Sequence, residues 1–342
     1  MLPGYRIVDS SRWNDSYPGI DFPASVKPDV SVYREEVDLS VRTDSSLAEI
    51  FIEFKWKPAE DPFNVPKGVN GEDVGFIHKT ATCLASLGQI SCYAAAQLNS
   101  QFRTHAYSVF IVKNLARIIR WDRSGAIVTE PIDYSEDPLL ANFFRRYSLA
   151  PSAMRGIDQT VSAPTAEEAL VARTAMGLRD VVPLVKLGIP INADASDYFI
   201  APIPRSIFYA PPGRATRGLR AYDLSRKTLC FVKDTWRIDL PDIQAEGLTY
   251  KTLNGCGVKN IPNCVAFGDI STETYHATKT SIYPSHTAYP RSPHLIPHRH
   301  YRLALDVVGR SLTEFKSSYE MVSAVRDAII GKLNDQIADE QH

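Results

Sequence analysis

The stretch TLCFVKDTWR, residues 228–237, taken with Glu246 thirteen residues beyond Lys233, decides how the chain is organised. It reads as an apolar strand ending in a lysine, a polar turn, and a helix opened by a glutamate. A lysine held by a helix carboxylate is a fixed cation suited to gripping phosphate oxygens. The helix pattern EGLTYKTLN (246–254) predicts Leu248 and Leu253 facing inward, with Gly255 and Gly257 as its stop.

Outward from that stretch, SIFYA (206–210), a turn PPGRATRG (211–218) holding Gly213 and Gly218, and LRAYDL (219–224) read as strands that join 228–234 in an antiparallel sheet. The two glycines are fewer than a phosphate-covering G-x-G-x-x-G loop carries. Downstream, GVKNIPNCVAFGDI (257–270) resembles the loop and fourth strand that follow such a helix in kinases, and YRLALDVVGRSL (301–312) resembles their fifth strand. A helix is predicted over 315–333. The segment 271–300 between these strands carries five histidines and reads as an insertion; His294, His298 and His300 are the metal-ligand alternative within it.

The first half has a different pattern. Residues 1–24 read as irregular or edge structure, and VKPDVSVY (26–33) as a strand with Asp29 near its start. LAEIFIEFKW (47–56) is a second strand. Alternation puts Glu53 and Lys55 on one face of it. KTATCLASLGQISCYAAAQLNS (79–100) is an Ala- and Leu-rich helix with Gln89 and Tyr93 one turn apart. A hairpin turning at Asn114 and a strand ending at Glu130 follow. Arg103, Lys113, Arg117, Arg120 and Arg123 make segment 101–123 basic, either a solvated face or a track for a nucleic-acid backbone.

Helices are predicted at 137–148 and from Thr165, where Thr165 and Glu168 form a capping box and Gly177 a stop. Both are expected to pack on the first domain. The proline-rich stretch 181–206 marks the break, giving domains at 1–190 and 191–342. Totals of 38 basic and 39 acidic residues supply no global field toward nucleic acid or lipid. The five cysteines show no CxxC spacing and read as reduced thiols, and no apolar run nears the roughly 20 residues of a membrane span. A cytoplasmic or nuclear location is expected.

Asp29 on a strand, the Glu53-x-Lys55 strand, the helix bearing Gln89 and Tyr93, then further strands: this order resembles the core of the PD-(D/E)xK nuclease-like superfamily. The resemblance implies Mg²⁺ held by Asp29 and Glu53, Lys55 orienting or activating a water, and Gln89 as an accessory group. A solvated Glu53–Lys55 pair is the alternative.

Across most of residues 85–330, the strings GQISCYAAAQLNSQFRTHAYSVFIV, ARIIRWDRSGAIV, LLANFFRRYS, RGLRAYDL, FVKDTWR, GVKNIP and YRLALDVVGRSLTEFKSS resemble the fungal-type protein kinases. The implied fold is α/β and α+β, a restriction-endonuclease-like mixed sheet followed by a protein-kinase-like small lobe. The implied activity is ATP-dependent phosphorylation of Ser or Thr. By position, Lys233 would bind ATP phosphates, Glu246 would hold Lys233, Gly213 and Gly218 would cover the nucleotide, and residues 301–309 would line the adenine pocket. Such enzymes place a His-Arg-Asp-type loop and a metal-binding Asp after the helix near residue 315. Residues 247–342 hold neither motif, so a pseudokinase or fragment is expected. A small lobe without its partner implies an exposed apolar face and self-association, or a missing large lobe. A Mg²⁺-dependent nuclease and a non-catalytic interaction protein or truncated gene product stay open as alternatives.

Overall fold

A computed structural model describes residues 2–15, 26–39, 43–64, 76–192, 195–204, 210–270, 276–283 and 295–339, with 332–339 described for the backbone alone. The architecture is α+β, two multi-stranded sheets with few helices. The chain divides into two compact units. The first holds Met1–Gln159, Arg205–Ala215 and Glu273–His298; the second holds Thr160–Pro204, Thr216–Thr272 and Arg299–His342.

The first unit is built on strands β1 (Tyr5–Asp9), β2 (Val30–Arg34), β3 (Ala48–Lys55), β4 (Ala106–Val112), β5 (Leu115–Asp122) and β6 (Gly125–Val128), in that spatial order, with β7 (Ile132–Asp133) also on β5. The segment expected as irregular or edge structure contributes the edge strand β1. The second strand begins at Val30 rather than at residue 26, so Asp29 stands at its entrance. Pro28, without an N–H, cannot extend the ladder; its carbonyl accepts from Ser10 Oγ at 2.7 Å.

β3 and β4 run parallel, and helix α1 (Ala81–Ser100) makes the crossover. Thr80 caps α1 by accepting from the Cys83 N–H at 3.2 Å. Its buried face carries Ile90, Ala94 and Leu98 onto Phe110, Ile119 and Trp121. The other sheet face packs Val32, Ile50, Ile52 and Val109 against Tyr147 of α2 (Leu139–Leu149).

The second sheet runs β13 (Cys264–Asp269), β14 (His298–Leu305), β12 (Thr228–Ile238), β11 (Arg217–Asp223), β10 (Ser196–Pro202), β9 (Leu184–Pro190), β8 (Val161–Ser162). Helix α3 (Ala166–Met176) has the expected capping box and the left-handed Gly177 stop. It packs Ala169, Ala172 and Met176 on Leu184, Ile200 and Tyr222. The expectation that α3 covers the first domain is therefore corrected: its apolar spacing fits either sheet, and β9 to β11 offer the face. Strands β9 and β10 come from the proline-rich stretch read as a break. Pro190 and Pro202 sit at strand ends, where a missing N–H costs the ladder little. The strand expected at 206–210 falls largely outside the described residues, and β11 pairs with β10 instead.

Helix α4 (Glu246–Gly255) and helix α5 (Ser318–Asp339) complete the second unit. Among the described residues no helix is long and apolar enough to cross a membrane.

Candidate functional site

Lys233 lies on β12, directly across the ladder from Gly218 on β11. Its ammonium reaches Glu246 Oε2, on the first residue of α4, at 2.5 Å. The side chains are 22% and 33% exposed, so the pair is open to a ligand. Such a short contact needs α4 pressed onto the sheet, and Gly247 permits it. A Cβ there would lie 2.1 Å from Phe267 Cγ, so no larger residue fits without displacing the helix or the ring. The Gly247 N–H donates to the Tyr301 hydroxyl at 2.8 Å, which fixes the first turn of α4 from below. Burial pushes the Tyr301 phenol well above its ordinary pKa, so it stays a neutral partner.

Several expectations change here. Leu248 is 44% exposed rather than inward, because α4 meets the sheet through Ala245, Gly247 and Tyr250. Residues 301, 303 and 305 form the core beneath α4, so the start of the expected adenine-lining segment is interior; exposed positions begin at Asp306. Gly218 lacks a side chain because the Phe231 ring takes its place, 2.8 Å from where a Cβ would stand. Gly213, with φ +119°, belongs to the first unit, where its N–H donates to the Arg123 carbonyl at 2.9 Å. Within the second unit the structure thus brings Lys233, Glu246 and Gly218 together.

On the other face of β12, next to Lys233 in sequence, Asp234 is buried and accepts from Arg302 Nε and His300 Nε2, both at 2.7 Å. Burial raises the Asp234 carboxyl, but the charges of Arg302, His300 and Arg217 together outweigh it and hold the group well below the usual carboxylate range. Nothing in local sequence marks this cluster, since its members come from three strands.

In the first unit Asp29, Glu53, Lys55 and Gln89 converge. Lys55 Nζ donates to Glu53 Oε1 at 2.7 Å and to Gln89 Oε1 at 2.9 Å. Gln89 Nε2 donates to the Tyr93 hydroxyl at 2.6 Å, which in turn donates to the Lys27 carbonyl at 2.8 Å. Tyr93 thereby fixes the amide of Gln89 so that its oxygen faces Lys55. Asp29 Oδ2 accepts from the Phe54 N–H at 2.8 Å, and the Asp29 N–H donates to Glu53 Oε2 at 3.4 Å. Glu53 is 3% exposed. Burial, with the neighbouring Asp29 charge, raises its pKa against the opposing Lys55 bond. Two close carboxylates, one desolvated, form a hard-oxygen donor set that a divalent cation would relieve, so the residues fit Mg²⁺.

The basic segment is used internally. Arg103 donates to Glu49 Oε2 at 2.9 Å and to the Arg155 carbonyl at 2.7 Å, while Arg117 reaches Asp61 at 3.2 Å. Arg120 pairs with Asp122 at 2.6 Å, and Arg123 donates to the Pro211 and Leu98 carbonyls. Lys113 alone of the named residues stands exposed, at the hairpin turn. No stripe of solvated guanidiniums results among them. His300 is likewise taken up by Asp234, and His294 lies outside the described residues.

No curated protein and no solved structure matches the chain. The model of the family described as fungal protein kinase matches residues 77–334, from just before α1 into α5. That span is well over half of the 342 residues, and the chain belongs to the fungal protein kinase family.

Proposed function

We propose that the second unit binds the phosphates of ATP through Lys233, as the nucleotide-gripping part of a protein-kinase-like domain. The observation that carries this reading is the 2.5 Å contact between Lys233 Nζ and Glu246 Oε2. The carboxylate holds the ammonium midway along a rigid strand, where it can meet the α- and β-phosphates without first being ordered. The strand, glutamate helix and two further strands that follow it in β12, α4, β13 and β14 support the same reading. Phosphoryl transfer to Ser or Thr further needs a base for the hydroxyl and a metal-binding Asp, and residues 247–342 carry no such motif. Binding rather than transfer is therefore the role assigned to these residues. Calorimetry with ATP tests it. Lys233→Ala should weaken binding at least tenfold, and equal affinity for ATP in the variant and the parent would sink the reading.

A second reading, for the first unit, is Mg²⁺-dependent cleavage of a nucleic-acid phosphodiester. It is favoured by the bonds from Lys55 to Glu53 and Gln89, with Asp29 beside Glu53. Asp29 and Glu53 would hold the ion, which when bound supplies an activated water and neutralises charge on the phosphate. Lys55, oriented by Glu53 and Gln89, would hold the attacking water or a phosphate oxygen. Incubating the protein with DNA and RNA in Mg²⁺ should give products that Asp29→Ala and Lys55→Ala abolish. Product formation that survives both substitutions would exclude this site.

A further inference from the structure

Asp234 follows Lys233 on β12, so their side chains point to opposite faces of the strand. On its own face Asp234 ties three strands together. Arg302 Nε and His300 Nε2 of β14 both stand at 2.7 Å from Oδ1, and Arg217 of β11, its register partner, places NH1 at 3.7 Å from Oδ2. Arg302 is 0% exposed and extends the tie by donating to the Gly188 carbonyl on β9 at 2.9 Å and to Thr160 Oγ1 at 2.8 Å. The Trp236 ring stacks on His300 with centroids 4.9 Å apart.

A one-residue slip of β12 would carry Asp234 to the opposite face and take this carboxylate away from the buried Arg302 and Arg217 guanidiniums. The cluster therefore selects one register. That register also sets Gly218 across from Lys233 and brings Lys233 to Glu246.

We propose that Asp234 is a positioning residue for Lys233, acting through the register of β11, β12 and β14. Its meaning for ligand binding rests on the nucleotide reading above. Its effect on Lys233 itself does not.

The test uses Asp234→Asn, which keeps the shape and removes the charge, with two readouts on the full chain. Calorimetry compares ATP with adenosine, which has no phosphate for Lys233 to hold. Mass spectrometry follows acylation of the Lys233 amine in the ligand-free protein, with exposed Lys259 as reference. The expected result is a loss of ATP affinity of about tenfold, unchanged adenosine affinity, and several-fold faster acylation at Lys233 only. Equal losses for ATP and adenosine, or unchanged acylation alongside a lower unfolding temperature, would reduce Asp234 to a merely structural role. If the parent protein binds no ATP, the nucleotide reading fails and the acylation result alone decides. If Asp234→Asn does not fold, Arg217→Gln removes the longest contact of the cluster. It must then show the same pattern more weakly, and unchanged Lys233 acylation in it overturns the proposal.

Discussion

Gly247 lies against the ring of Phe267 so closely that an added Cβ would stand 2.1 Å from Phe267 Cγ. The residue after the glutamate thus decides how near α4 comes to the sheet, and so whether Glu246 reaches Lys233. Gly247→Ala must displace either the helix or the ring. Overpacking of this kind costs about 1–3 kcal/mol. Denaturant unfolding should show that loss, and the Lys233 amine should acylate faster as its partner recedes. An alanine variant with unchanged stability would mean that α4 shifts freely.

The buried Asp234 carboxyl, held below its ordinary pKa, makes stability depend on pH in one direction. The folded state binds this proton more weakly than the unfolded chain. The contribution is therefore full above the ordinary carboxylate pKa of about 4 and is lost as pH falls below it. Urea midpoints recorded from pH 7 to pH 3 should drop at the acid end, and Asp234→Asn should flatten that drop. At pH 7 the variant should already be less stable by about 3–5 kcal/mol, the usual result of removing one partner of a buried pair.

Glu53 acts in the opposite sense. Its pKa is raised, mainly by burial, so the folded state holds the proton more tightly than the unfolded chain. Stability falls as pH rises from the ordinary glutamate value of about 4.3 through the raised one. Glu53→Gln should remove that slope. Mg²⁺ should raise the unfolding temperature of the parent at neutral pH and leave Glu53→Gln unmoved; a Mg²⁺ shift of equal size in both would place the ion elsewhere.

Arg103 is 4% exposed and bonded to Glu49, which also accepts from Arg155 at 2.6 Å and from Tyr147 at 2.6 Å. Arg103→Met should cost about 3–5 kcal/mol by leaving a buried carboxylate short of a cation. Its affinity for single-stranded DNA should not change while the fold persists. A selective loss of DNA binding with intact stability would return Arg103 to a surface role.

Sequence alone determined the two polar constellations. Glu53 and Lys55 share a strand face by alternation, Gln89 and Tyr93 share a helix face by one turn, and Lys233 and Glu246 follow from a strand and then a helix in order, although β12 runs on to Ile238 where the apolar pattern predicts an end at Lys233. These are short-range relations, carried by the period of each element. It also determined the caps at Thr165 and Gly177, whose side chain or φ does the work locally.

Only the tertiary structure decided which distant groups answer a buried charge. Asp234 and Arg302 are 68 residues apart, and Arg103 and Glu49 are 54 apart, so a charge that reads locally as solvated becomes internal. It also assigned α3 to the second sheet and turned the proline-framed segments 184–190 and 196–202 into strands, because proline removes a donor only where the ladder needs one. The reason is common to all of these. Periodicity records which face of an element is apolar, whereas the partner for that face, or for a desolvated ion on it, is chosen by packing among segments far apart in the chain.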